Sequence, residues 1–248
     1  MAEALALTLT QNRVGEVQLL ARNRERAEAI AKLCPVSLRF SPAETEPADL
    51  YLIAVVDRAV TEVAETLPLP PGAVVAHTAG SVGIEALPER FLHRGSFYPF
   101  QTLTKGRRVD FAQIPVFVEA TDGESLALLK EVAGQISRQV YEADSERRRL
   151  IHLAGVFANN FANAMYTLGE RMAERAGLSF DVLRALITET ALKAAGARHP
   201  REVQTGPAVR GDEAVQRAHL RLLEGDEDMQ RIYQLISKTI WETSRKTS

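Results

Sequence analysis

The chain has 248 residues, 46% hydrophobic and 25% charged, with 15 Gly and 11 Pro, which is the composition of a folded globular protein and excludes a disordered one. Its 30 Lys and Arg against 32 Asp and Glu leave a net charge of −2, so there is no electrostatic case for nucleic acid or an anionic membrane as partner. The single cysteine, Cys34, excludes an internal disulfide and a multi-cysteine metal site. No apolar run approaches the ~20 residues of a membrane helix, and Met1-Ala2-Glu3-Ala4 lacks the basic start of a signal peptide. The expectation is a cytoplasmic protein.

In chain order, Glu3 to Asn12 reads as a helix and Glu16 to Ala21 as a strand. Asn23 is placed to cap a helix running to Leu33, with Glu25 in its first turn, and Val36 to Phe40 is a second strand. Asp49 to Val56 is a near-continuous apolar run, as a parallel strand covered on both faces requires. Asp57 then caps a helix to about Thr66, and strands follow at Ala73 to Ala76, Gly95 to Tyr98 and Val116 to Glu119 before a helix from Asp122 to Ser137. This alternation predicts an α/β fold, a Rossmann-like doubly wound parallel sheet over residues 1–142. From Asp144 the strand signal stops. One long helix to about Ala176 is expected, then Phe180 to Ala195, a loop over Gln204 to Asp212, and helices over Glu213 to Glu224 and from Asp226 to Ser244. Residues 143–248 are thus a helical domain.

The front of the chain is informative. In a dinucleotide-binding unit the first helix follows a strand and a Gly-rich turn, whose backbone N–H groups hold the pyrophosphate. Here the sequence opens on the helix, and the strand it lacks would be the central one of the doubly wound order. Two expectations follow. Met1 is an internal methionine of a protein starting roughly 15 residues earlier, or a rearranged sheet or another chain fills the gap.

Several positions could carry chemistry. Arg22, Asn23 and Arg24 lie just after the first strand, where such folds meet the adenosine ribose. Arginine suits a 2′-phosphate, so NADP is favoured over NAD. His77-Thr78-Ala79-Gly80-Ser81 follows a buried strand, and ligands gather outside the carboxyl ends of such strands. His77 is therefore a candidate proton donor, with a structural histidine as the alternative. Val56, at the end of its apolar run, and Ser81 are assigned to the cofactor, and Gln101 to the substrate. On the long helix His152, Asn159 and Asn163 fall at spacings of seven and four, which an α-helix puts on one face, with Asn160 beside them. Among Leu150, Leu153, Val156, Phe157, Phe161 and Met165 these amides read as buried and need partners, a ligand or interhelical hydrogen bonds. Gln204 and Arg210 sit in a Gly- and Pro-containing loop, where Arg210 can clamp a carboxylate or phosphate, Asp212 capping the next helix. No metal site is predicted.

Together IAVVDRAVTEVA at 53–64, HTAGS at 77–81, GSFYPFQTLTK at 95–105, IHLAGVFANNFANAMY at 151–166 and QTGPAVRGD at 204–212 resemble a bacterial family of Rossmann-like oxidoreductases, formally a domain of unknown function. It belongs to the superfamily of 6-phosphogluconate dehydrogenase, ketopantoate reductase and pyrroline-carboxylate reductase. Met1 to Leu5 resembles the tail of that superfamily's G-x-G-N-M-A-E-A-L phosphate loop. The resemblance implies an N-terminal NAD(P)-binding domain, a helical domain that commonly forms a homodimer, and a small-molecule substrate. In one branch a catalytic Lys precedes an Asn pair on the long helix; here Val156 stands at that position before Asn159-Asn160, so that mechanism does not carry over. The expected function is NADP-dependent hydride transfer to or from a small polar metabolite, using His77, His152, Asn159 and Asn163, with Asn160, Gln101, Gln204 and Arg210 at the substrate. The rival is a non-catalytic dinucleotide-sensing or partner-binding module.

Overall fold

The computed structural model describes residues 1–70, 72–107 and 109–245. Seven strands occur among them: β1 (Gln18–Leu20), β2 (Ser37–Arg39), β3 (Leu50–Ile53), β4 (Val74–His77), β5 (His93–Pro99), β6 (Val116–Ala120) and β7 (Val140–Glu142). The helices are α1 (Ala2–Gln11), α2 (Arg24–Ala31), α3 (Val60–Thr66), α4 (Gly123–Ile136), α5 (Ser145–Gly155), α6 (Ala162–Arg175), α7 (Asp181–Gly196), α8 (Pro207–Arg210), α9 (Glu213–Leu222) and α10 (Glu227–Arg245). A π-helical segment, Val156–Phe161, joins α5 to α6.

The chain divides into two compact units, Met1–Asn159 and Asn160–Ser248. The division falls one helix later than the loss of strand signal near Glu142, because α5 packs on the sheet. In the first unit the strands form two sheets, β1-β2 and β3-β4-β5-β6-β7. β1 pairs parallel with β2, and β3, β4 and β5 run parallel to one another. The sheet therefore divides between β1 and β3, where the doubly wound order puts its central strand. One strand departs from the all-parallel expectation: β6 pairs antiparallel with β5, Gly95 opposite Ala120 and Pro99 opposite Val116. A parallel return needs a crossover, usually a helix, and among the described residues of 100–115 there is only a short 3-10 turn, Phe111–Gln113. β7, which the sequence pattern did not reveal, adds parallel to β6.

Both faces of the larger sheet are covered. Alternate side chains of β4 point opposite ways, so Val74 and Ala76 join a core with Phe97, Val118 and Leu129, and Val75 joins another with Ile53, Val60 and Leu87. α1 serves both sheets, giving Leu5 to the first core and Ala6 to a third with Ile30 and Cys34. Local signals end the helices as read: Asn23 accepts from the Arg26 N–H, Asp122 from Ser125 and Asp144 from Arg147. Asp57 does not cap α3; its carboxylate accepts from the Ser81 hydroxyl instead.

The second unit is helical throughout among its described residues. Asp212 caps α9 and Asp226 accepts from Met229 N–H at the start of α10. Gly211 ends α8 in the left-handed conformation, φ 66°, with the Trp241 ring so near that a Cβ would lie 3.0 Å from it. A cavity of about 720 Å³ is lined by Leu168, Met172, Leu222, Ile232, Ile236 and Ile240, among others, with the His219–Tyr233 pair in its wall.

Candidate functional site

Parallel strands deliver their following loops to one edge of a sheet. Here β3, β4 and β5 bring residues 54–57, 78–83 and 100–102 to that edge of the first unit. Ser81 donates to Asp57, tying the first two of these loops together beside Val56. Gln101 ends the third, exposed, its side-chain oxygen accepting from the Thr102 N–H at 2.8 Å.

α5 is fastened across this edge by three successive contacts. Arg148, wholly buried, pairs with Glu119 and donates to the Val82 carbonyl at 2.6 Å and to Ser145 Oγ at 3.1 Å. Glu119 lies in register with Ser96. One helical turn on, His152 Nδ1 is 3.2 Å from the hydroxyl of Tyr98, two residues further along β5. Then Gly155 meets Phe100, whose ring would be 2.7 Å from any Cβ there. A helical turn of about 5.4 Å nearly matches two strand residues, about 6.6 Å, so helix and strand stay in step.

His77 and His152 differ sharply. His77 is fully buried, its Nδ1 accepting from the Ala79 N–H at 3.2 Å and its Nε2 finding no hydrogen-bond partner. Burial, helped by the Arg148 cation, pushes its pKa down to about 4, so it is neutral at pH 7. His152 is half-buried and stands against Tyr98. Burial first, and then Asp57, raises the phenol's pKa above its ordinary value, so Tyr98 keeps its proton.

The gap between the two sheets is a cavity of about 770 Å³. The ends of β1 and β3 line it at Leu20, Ala21, Ala54 and Val55, and the start of α1 lines it at Met1 to Ala4. Arg22 and Asn23 are in its wall; Arg24 is not, because its guanidinium stacks over Phe40 at 3.8 Å and pairs with Glu28. Val56 and Ser81 lie outside it, next to it in the chain and at the neighbouring loop. Three cations that the sequence reading passed over, Arg26, Lys105 and Arg107, share the wall. Among the described residues Arg22, Arg26, Lys105 and Arg107 have no carboxylate partner, whereas Arg39, Lys130, Arg149 and Arg171 each have one. Their signal was there only as separate basic residues some 80 apart in the chain; the fold brings them to one cavity.

The asparagines are a correction. Asn159, Asn160 and Asn163 are exposed, not buried, and so are their apolar neighbours Leu150 (63%), Leu153 (48%) and Phe157 (63%). Asn159 and Asn160 lie within the π segment, and Asn163 follows it. A π turn takes one residue more than an α turn, so a spacing of seven from His152 no longer returns to the same face. π turns recur at functional sites, which is a second signal at these amides. In the second unit Gln204 and Arg210 are separate, exposed positions, Gln204 bonded to the Thr205 carbonyl and Arg210 in the last turn of α8. Among the described residues no group of three or more His, Cys, Asp or Glu is arranged to hold a metal, and no helix is long and apolar enough to cross a membrane.

The family model described as "Domain of unknown function (DUF2520)" matches residues 114–240. Among solved structures, the "putative NADP oxidoreductase BF3122" of Bacteroides fragilis is 40% identical, with a TM-score of 0.83 over 97% of this chain and 93% of its own. Protein TM1727 of Thermotoga maritima is 24% identical, TM-score 0.78, over 99% of this chain and 95% of its own. An imine reductase of Myxococcus stipitatus, in complex with NADP+, shares the fold at 14% identity and TM-score 0.60, over 97% and 89%. No curated protein matches the sequence. The scaffold is thus one that nicotinamide-dependent oxidoreductases use.

Proposed function

Since the chain belongs to the DUF2520 family, we propose that it is an NADP-dependent oxidoreductase acting on a small polar metabolite. The observation that carries this reading is the cavity between the sheets, with Arg22, Arg26, Lys105 and Arg107 unpaired around it. Its volume, about 770 Å³, falls in the range of cofactor sites, and unpaired guanidinium and ammonium groups fit a phosphate-rich ligand. Arg22 and Arg26 would hold the 2′-phosphate, and Lys105 and Arg107 the pyrophosphate. When bound, the cofactor supplies the hydride.

The chain's own contribution is to orient the reactants and to provide a proton. Of the two histidines, His152 is the donor in this reading, since it is reachable from the sheet edge and His77 is sealed in the core. Val56 and Ser81, on the adjoining loops, would approach the nicotinamide end. In the first unit the exposed amides of Gln101 and Asn159 would hydrogen-bond a polar substrate; in the second, Asn160, Asn163, Gln204 and Arg210 are exposed polar groups that belong to that unit alone.

The helical unit supports a homodimer. Leu186, Leu192, Leu222 and Leu235 are each at least 64% exposed, and apolar surface on this scale calls for a covering partner. A second copy of the chain presents the same faces and meets them by two-fold symmetry.

Fluorescence titration tests the cofactor reading. Arg22→Ala with Arg26→Ala is expected to weaken NADPH binding tenfold or more, about 1.4 kcal/mol, and to leave NADH nearly unchanged. Failure of the intact protein to bind either dinucleotide would overturn it. A second reading, dinucleotide binding without turnover, draws on Val156, which puts an aliphatic side chain at the head of the π segment. NADPH binding with no hydride transfer to any of a panel of carbonyls and imines would favour it.

A further inference from the structure

Tyr98 is a residue to which neither the family resemblance nor the strand pattern gives a role. Its hydroxyl stands 3.2 Å from Nδ1 of His152, held there by edge and tilted contacts to Phe100 and Phe117, with ring centroids 6.1 and 6.5 Å away. Gly80, in the loop after β4, packs against both rings. A Cβ at Gly80 would lie 2.5 Å from the Tyr98 ring and 2.8 Å from His152 Nδ1. Strand, helix and loop therefore converge on one tyrosine–histidine contact. We infer that Tyr98 is a positioning residue, which donates its hydroxyl proton to Nδ1 and so holds His152 as the Nε2–H tautomer, and that position 80 is glycine to leave room for the pair.

The chemistry follows from the two ring nitrogens. A neutral imidazole has one donor and one acceptor, and fixing one decides the other. With Nδ1 accepting from a phenol that keeps its proton, Nε2 carries the hydrogen and is the atom offered outside the pair. A free histidine would divide its time between tautomers and ring orientations. This role rests on the reading of His152 as proton donor, but the tautomer can be read without turnover.

The test is 15N NMR of the full chain labelled at its 5 histidines, at about two pH above the ordinary histidine pKa of ~6.5, with His152 assigned by loss of its signals in His152→Gln. The wild-type protein is expected to show Nε2 protonated and Nδ1 as acceptor. Tyr98→Phe is expected to move both nitrogens toward the averaged values of mixed tautomers, while the other four histidines hold their shifts and so report an intact fold. Gly80→Ala, which keeps the tyrosine but displaces it, should do the same. In turnover, Tyr98→Phe should lower kcat about tenfold with the KM for NADPH unchanged. An Nδ1–H tautomer in the wild type, or the same tautomer with and without the Tyr98 hydroxyl, would overturn the inference. Loss of NADPH binding alone would count against the cofactor reading and leave this one standing.

Discussion

The two units solve the problem of burial in opposite ways. Around the β3–β7 sheet, Val75, Ala76, Phe97, Val116 and Leu129 are sealed on both faces, and even the guanidinium of Arg148 is buried. In the helical unit the buried hydrophobic residues described are Ala173, Ala208, Leu223 and Met229, while Leu178, Val182, Leu186, Leu192, Leu222 and Leu235 stay exposed. A sheet with helices on both faces generates its own interior. Helices with apolar residues on several sides leave some of them at the surface, and the difference teaches that the first unit covers its apolar residues internally while the second leaves many of its own exposed.

The largest effect expected is at the buried charge. Arg148→Met leaves Glu119 without its cation and the Val82 carbonyl without its donor. It should cost about 3–5 kcal/mol of stability in urea unfolding, with part of the loss returned by adding Glu119→Gln. An unchanged midpoint would mean that the pair does not fasten α5 to the sheet.

A somewhat smaller effect is expected from pH. His77 has its pKa pushed down to about 4 in the folded protein, against ~6.5 unfolded. Between these values the unfolded chain binds the proton that the folded one refuses. Its contribution is therefore fully present above about pH 6.5 and is lost as pH falls toward 4, by about 3 kcal/mol. Stability measured across that window in His77→Gln should fall less steeply than in the wild type; parallel curves would assign the acid sensitivity elsewhere.

The smallest concerns the helical unit. Leu235→Ser with Ile236→Ser, both on exposed positions of α10, should raise the dissociation constant of the proposed homodimer at least tenfold, about 1.4 kcal/mol, by sedimentation. A wild-type protein that stays monomeric at all concentrations would remove the contrast between the units.

Much of this organisation is legible in the residues. Val74 to His77 is a strand because a continuous apolar run can be covered on both sides, and Asn23, Asp122 and Asp144 cap helices because each acceptor lies three residues from its donor. Asp57 shows where such reading stops. It stands where a cap is expected, but Ser81, 24 residues on, takes its carboxylate. The candidate site was legible in the same uneven way. Arg22 and Asn23, picked out from their place after a strand, line the cavity, and His152, picked out on its helix, meets Tyr98. Tyr98 and Lys105 were passed over, since the His152 that Tyr98 meets and the cavity that Lys105 lines are both brought to them by distant parts of the chain.

By itself, then, the sequence determined the succession of helices and of the strands other than β7, the caps at Asn23, Asp122 and Asp144, and the change from an α/β to a helical region. Those features depend on hydrogen bonds within four residues and on the periodicity of apolar side chains. Only the tertiary structure decided that β6 runs antiparallel, that Arg148 is buried, that the asparagines are exposed around a π turn, and that Tyr98 meets His152 across 54 residues. These depend on which surfaces meet once the chain has closed on itself, and no local pattern carries that information.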